Sequence, residues 1–222
     1  MKHFLIILLL LVSTVGFSQE DVRKNAVAFS KGLECKYKED VQGAIKNFEE
    51  ALQYMPDDAA SMFELSEQYV KAGRADEGFA MIKKAAELDP DNKWYQMRLA
   101  IFHRTFQQMD DYIAIYERLT AKYPGDIALL SDLIDAYLIK ENYDKAIEKL
   151  DLLEQQAGVS TLVSEQKLDI YKRQGNTKKV ISEMERLIAE NPENTRYLAV
   201  FRKVSSGSAM RKKDFFVRVM PV

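Results

Sequence analysis

Nucleophiles, bases and metal ligands are scarce in this chain. Beyond residue 18 it holds one cysteine, Cys35, and one histidine, His103. A nucleophilic site needs a base beside its nucleophile, and a metal site needs several ligands that converge. Carboxylates are plentiful and come in pairs, as at Glu49-Glu50, Asp57-Asp58 and Asp110-Asp111. These pairs fall on solvated helix faces or in turns. The nine glycines are scattered as punctuation and form no phosphate-binding loop. No catalytic constellation emerges, so the sequence predicts a protein that is not an enzyme, with no metal and no cofactor. What remains is contact chemistry, carried by aromatic and aliphatic side chains at helical spacing.

The elements that must position those side chains are short helices. In residues 59–90, Met62, Leu65 and Tyr69 fall on one helical face, spaced three and four apart. Gly73 can take the left-handed conformation that ends a helix. Phe79, Ile82, Ala85 and Ala86 build a second apolar face, and Pro90 stops it. Neither helix can bury its face alone, so the pair needs neighbours. The chain supplies them on a period. Pro56, Pro90 and Pro124 are 34 residues apart, Pro192 lies two further periods on, and Gly158 takes the place between. Two residues after each stop comes Asp58, Asn92, Asp126, Ser160 or Asn194, each an N-cap worth on the order of 1 kcal/mol. Gly73 and Gly175, three periods apart, fill the same inter-helix turn. Such a period predicts an array that grows by stacking units and not by enlarging one core.

The stretch resembles the tetratricopeptide repeat family, whose pattern is W-x2-L-G-x2-Y, then A-x3-F-x2-A, then P. It reads here as Met62-x2-Leu65-Ser66-x2-Tyr69, then Gly78-x3-Ile82-x2-Ala85, then Pro90. The first repeat carries Gly32, Ala44, Phe48, Ala51 and Pro56 in that register. The fourth carries Leu130, Leu133, Tyr137, Ala146 and Leu150, and the fifth Leu168, Tyr171, Val180 and Leu187. The third departs most, with Tyr112 where a small residue is usual and Ala100 opposite to make room. The resemblance covers residues 25–194 and implies an all-α, right-handed α-solenoid of helix-turn-helix repeats. The five repeats are 25–58, 59–92, 93–126, 127–160 and 161–194, and a C-terminal capping helix follows at 195–204 with Leu198 and Phe201 facing back. Cys35 and His103 take the mid-helix aromatic place of repeats one and three, too far apart to meet. Cys35 is read as a small buried hydrophobe, the alternative being an intermolecular disulfide or redox role. His103 is read as a core histidine with a satisfied hydrogen bond.

The resemblance also implies a binding surface. Ala60, Phe63, Glu67 and Val70 lie nearly opposite the core residues of their helix, at about 100° per residue. In the family that side lines a concave groove for peptides or partner helices. Here the groove comprises Phe29, Leu33 and Tyr37, then Phe63 and Val70, then Trp94, Met97 and Ile101. It turns polar at Ser131, Asp135, Glu165, Asp169, Lys172 and Arg173. Apolar surface left in water costs about 25 cal/mol per Å², so this face implies a protein or peptide ligand. The alternative is that these side chains pack on adjacent repeats. The carboxylate clamp of chaperone-binding members is absent, because the matching places hold Phe29, Leu33 and Lys36, then Phe63, Glu67 and Val70.

Residues 1–18 read as a cleaved signal peptide. Lys2 and His3 precede an apolar run from Phe4 to Val15, shorter than the roughly 20 residues a membrane span needs. Gly16-Phe17-Ser18 then offers small residues at the positions a signal peptidase prefers. Cleavage after Ser18 or Gln19 would export the chain to the periplasm or beyond, with no stable membrane span. FSQE at the cut looks like exported proteins of the Bacteroidetes. With one cysteine, the chain must be held by packing alone. The net charge of −2 gives no reason to expect nucleic acid. Residues 205–222 form a basic and apolar tail, expected to be poorly ordered, or else to dock on the acidic body or a membrane surface. The functional expectation is an exported, non-enzymatic adaptor that binds a protein segment in its groove. The alternative is a truncated accessory domain of a larger envelope enzyme, transporter or secretion assembly.

Overall fold

The computed structural model describes residues 18–202 apart from 159, 191, 196 and 200. The expected leader, up to residue 17, and the expected tail lie outside the described residues. Among the described residues ten full helices follow in order: α1 (Gln19–Tyr37), α2 (Val41–Tyr54), α3 (Ala59–Lys71), α4 (Ala75–Leu88), α5 (Lys93–Thr105), α6 (Met109–Lys122), α7 (Ile127–Ile139), α8 (Tyr143–Ala157), α9 (Thr161–Arg173) and α10 (Thr177–Glu190). No strand occurs among the described residues. The fold is all-α, and within each compact unit consecutive helices pack on one another as in tetratricopeptide repeats.

Local chemistry sets the helix ends. Asp58, Asn92, Asp126 and Ser160 each accept a first-turn N–H at the start of α3, α5, α7 and α9. Asp40 and Asn142 do the same for second helices, α2 and α8. Each pair turns through one left-handed residue, and these recur at the repeat length: Glu39 (φ 58°), Gly73 (77°), Gln107 (60°), Glu141 (54°) and Gly175 (64°). At each, the next residue's N–H bonds back five positions, as from Asp40 to the Cys35 carbonyl at 2.9 Å and from Arg74 to the Tyr69 carbonyl at 2.8 Å. This 6→1 bond satisfies a carbonyl that the helix end would otherwise orphan. Glycine reaches that conformation without strain, whereas glutamate and glutamine reach it at a cost.

The chain divides into two compact units, one ending at Gln108 and the other starting at Met109. The division falls inside the repeat predicted at 93–126. In the first unit, α1 packs on α2, α2 on α3, α3 on α4 and α4 on α5. Phe48, Leu65 and Tyr69 centre one core cluster, and Met62, Ile82, Ala85 and Phe102 another. Gly32 is required by this packing, because a Cβ there would sit 2.5 Å from the Phe48 ring. Cys35 is half-buried against the first cluster, and the Asn47 amide donates to its Sγ at 3.7 Å. His103 departs from the expected core position. It is half-buried in the last turn of α5, edge-on to Phe79 at 5.3 Å, with Nδ1 2.7 Å from Gln108 Oε1.

In the second unit, α6 packs on α7, α7 on α8, α8 on α9 and α9 on α10. Tyr112 is buried, and its ring stacks on Tyr116 at 4.5 Å. The Tyr116 hydroxyl donates to Asp132 at 3.0 Å. Tyr137 donates to Glu117 much as Tyr69 donates to Glu49 two repeats earlier. Tyr197 and Phe201 are buried against Met184, Leu187 and Ile188, with Leu198 packed beside them. The seam between α8 and α9 is ionic. Lys167, only 4% exposed at its side chain, pairs with Asp151 at 2.5 Å and Glu154 at 2.6 Å. Arg186 on α10 joins them through Glu154 at 2.6 Å, Glu183 and the Ser164 hydroxyl.

Candidate groove on the first helices

In the first unit, α1, α3 and α5 are the leading helices of their pairs. The residues predicted to line a groove sit on them, but with unequal exposure. Tyr37 (83%), Trp94 (64%), Val70 (46%) and Ile101 (41%) are exposed. Phe29, Leu33, Phe63 and Met97 are half-buried. Phe29 tilts against Phe48 at 5.6 Å, and Leu33 packs on the same cluster. Phe63 tilts against Tyr95 at 5.2 Å. Stacking on neighbours therefore uses half of the second apolar face and leaves the other half in water.

A charge ladder crosses the same face. Lys36 Nζ on α1 donates to Glu64 at 2.7 Å and to Glu67 at 3.1 Å, both on α3. Arg98 on α5 reaches the same Glu67 oxygen at 3.4 Å, and Lys71 holds the other oxygen at 3.1 Å. One carboxylate thus ties three helices. Burial alone would raise the Glu67 carboxyl. The hydrogen bonds from Lys36 and Lys71, with the charges of Lys36 and Arg98, override it and bring the carboxyl down to about 2. It stays ionised across the neutral range. The Arg98 guanidinium also lies over the Phe63 ring, 4.9 Å from its centroid.

The sequence places Lys36 and Glu67 on the groove side but predicts no pairing for them, and Glu64, Lys71 and Arg98 were not predicted as part of the site. A signal for them exists, since Lys36 and Glu67 lie 31 residues apart, as do Glu67 and Arg98, and each pair ties successive leading helices. In the second unit Asp135, Glu165, Asp169, Lys172 and Arg173 are exposed and Ser131 is half-buried. Arg173 pairs with Asp169 at 2.8 Å. Burial and the neighbouring Asp132 push the Asp135 carboxyl up. The polar stretch also carries two exposed apolar side chains absent from the sequence reading, Ile139 (63%) and Leu162 (67%).

Among the described residues no helix is long and apolar enough to cross a membrane, and no group of His, Cys, Asp and Glu could hold a metal ion.

Stacked, capped helix pairs on a 34-residue period define a helical-repeat protein, and comparison gives the repeat its family. Residues 38–101 match the family model described as tetratricopeptide repeat. No curated protein matches the chain. Solved structures share the fold. A tetratricopeptide repeat protein from Parabacteroides merdae aligns at TM-score 0.63 and 15% identity, covering 90% of this chain and 82% of that one. A MamA structure aligns at 0.62 and 17%, covering 78% and 95%. YrrB, described as a TPR protein with an unusual peptide-binding site, aligns at 0.59 and 14%, covering 79% and 90%. Residues 38–101 carry the tetratricopeptide repeat, and the chain has the tetratricopeptide fold.

Proposed function

We propose that the chain is an exported adaptor without catalytic activity, which binds an apolar protein segment on the groove face of α1, α3 and α5. The observation that carries this reading is the exposure of Tyr37, Val70, Trp94 and Ile101 on three consecutive leading helices tied together by Glu67. Packing of the repeats leaves these four side chains unused. Aromatic anchors on such a surface dominate binding, and truncating one costs about 2 kcal/mol or more. The peptide-binding site reported for YrrB shows that this fold can present one. Export rests on the leader-like residues 1–18.

The test uses the single tryptophan. A partner captured from the envelope fraction should shift Trp94 emission on titration. Ile101→Glu should abolish the shift and the binding while leaving helical circular dichroism unchanged, because Ile101 is exposed. A folded Ile101→Glu variant that binds as the parent does would sink the groove reading. Recovery of the mature chain from the cytoplasm alone would sink export.

A further inference from the structure

We propose that Lys167, with Asp151 and Glu154, is the register key of the array: it lets α9 seat on α8 and on no other second helix, whether of the same chain or of another copy. Repeated helix pairs carry a built-in ambiguity. Each leading helix docks on the second helix before it through the same face, as Leu65 of α3 packs with Ala44 and Phe48 of α2. An apolar seam can therefore be satisfied by the wrong repeat, and such misassembly is a characteristic failure of repeat proteins. At the Leu65 position stand Leu99, Leu133 and Lys167 in the later repeats, one period apart. Leu65 and Leu133 are buried, and so is Lys167, but its charge can be housed only by acceptors.

α8 supplies two acceptors, Asp151 at 2.5 Å and Glu154 at 2.6 Å. The same places one, two and three periods earlier hold Glu117 and Thr120 on α6, Lys83 and Ala86 on α4, and Glu49 and Leu52 on α2. None of these helices offers two carboxylates there. Glu117 and Glu49 already accept from the Tyr137 and Tyr69 hydroxyls, and Lys83 would repel the ammonium. The exclusion also runs the other way. A leading helix that brought leucine to α8 would leave Glu154, 13% exposed at its side chain, without a cation. Both of its partners, Lys167 and Arg186, arrive with α9 and α10. An unpaired buried charge disfavours each wrong pairing by about a hundredfold or more. Well-packed apolar residues in the same place would cost the right pairing little or nothing. The ion pairs thus select among seams more than they strengthen one.

The test compares the full chain with the double variant Lys167→Leu/Glu154→Leu. This variant gives α9 and α8 the residues that α3 and α2 carry at the same positions, Leu65 and Leu52. Both proteins are unfolded in denaturant, refolded over a range of protein concentrations and sized by gel filtration. The parent should return as the single species it was before unfolding. The variant should be as helical and as resistant to denaturant as the parent. Its fraction in larger, helical species should nonetheless exceed the parent's by about tenfold or more and grow with protein concentration. A side chain that only supports the fold predicts the reverse, a less stable variant that refolds to one species. If the leucine variant loses helicity, Lys167→Met/Glu154→Gln, closer in shape, decides by the same readings. If both lose it, the ion pairs are struts and the key is overturned. A folded variant that refolds to one species at every concentration overturns it as well, and so do larger species that lack helicity, which are aggregates.

Discussion

Two seams between successive helix pairs show how one repeat position can be filled in opposite ways. In the first unit α4 meets α5 through Ile82, Ala85, Phe79 and Phe102, all apolar. In the second unit α8 meets α9 through Lys167, Asp151 and Glu154, with Arg186 and Glu183 reaching in from α10. Lys167 stands where earlier repeats carry Leu65, Leu99 and Leu133, each one period apart. Burial pulls the Lys167 ammonium down in pKa, but the hydrogen bonds and charges of Asp151 and Glu154 outweigh it and leave it raised. Burial likewise opposes ionisation of Glu154, and the bonds from Lys167 and Arg186 hold its carboxyl below the usual range. An apolar seam gains from every methylene it hides and tolerates small slips. An ionic seam gains little net energy, but it accepts one geometry only, since any other leaves a buried charge unpaired.

The difference can be broken from either side, and the largest effect belongs to the apolar seam. Ile82 is fully buried. Ile82→Ala should cost about 2–5 kcal/mol by denaturant unfolding, because it removes buried methylenes and leaves a cavity. That cost should be the same at low and high salt, since Ile82 packs among apolar side chains. A cost that varied with salt would erase the contrast.

Arg186→Ala should cost about 1.5–3 kcal/mol, since it strips charged hydrogen bonds from Glu154, Glu183 and Ser164. The loss should appear as faster amide exchange in α9 and α10, with α4 and α5 unchanged. Acid should mimic it. A carboxyl held low in the folded state contributes stability above its unfolded pKa, and loses it as pH falls through the folded value. Glu154 is such a group, so α9 and α10 should open first as pH drops below the ordinary carboxylate range. Simultaneous opening of both seams would refute the distinction.

The smallest effect sharpens the comparison at the turns. Glu141 in the second unit holds the left-handed conformation that Gly73 holds in the first. Glu141→Gly should leave stability unchanged or raise it by up to about 1 kcal/mol, whereas Gly73→Ala should lower it by about 1 kcal/mol. A destabilised Glu141→Gly would mean that its side chain, and not the turn, sets the backbone there.

What the sequence determined by itself was local. N-caps, helix stops and apolar faces act within one turn of helix, so Asp58, Asn92, Asp126 and Ser160 could be placed from their spacing alone. The same spacing announced the array, since a periodic face must be covered by its own repeat. Glu39, Gln107 and Glu141 escaped notice because only glycine advertises a left-handed turn, although all three keep the period. Tertiary structure alone decided which long polar side chains are enclosed. Lys167 reads as one more charge on a helix until α8 and α10 bring three carboxylates around the seam. Arg98 reads as solvent-facing until α3 places Phe63 beneath it and Glu67 beside it. A lysine or arginine spans several ångströms on flexible bonds, so its sequence position fixes where the stem begins and only its neighbours fix where the charge comes to rest.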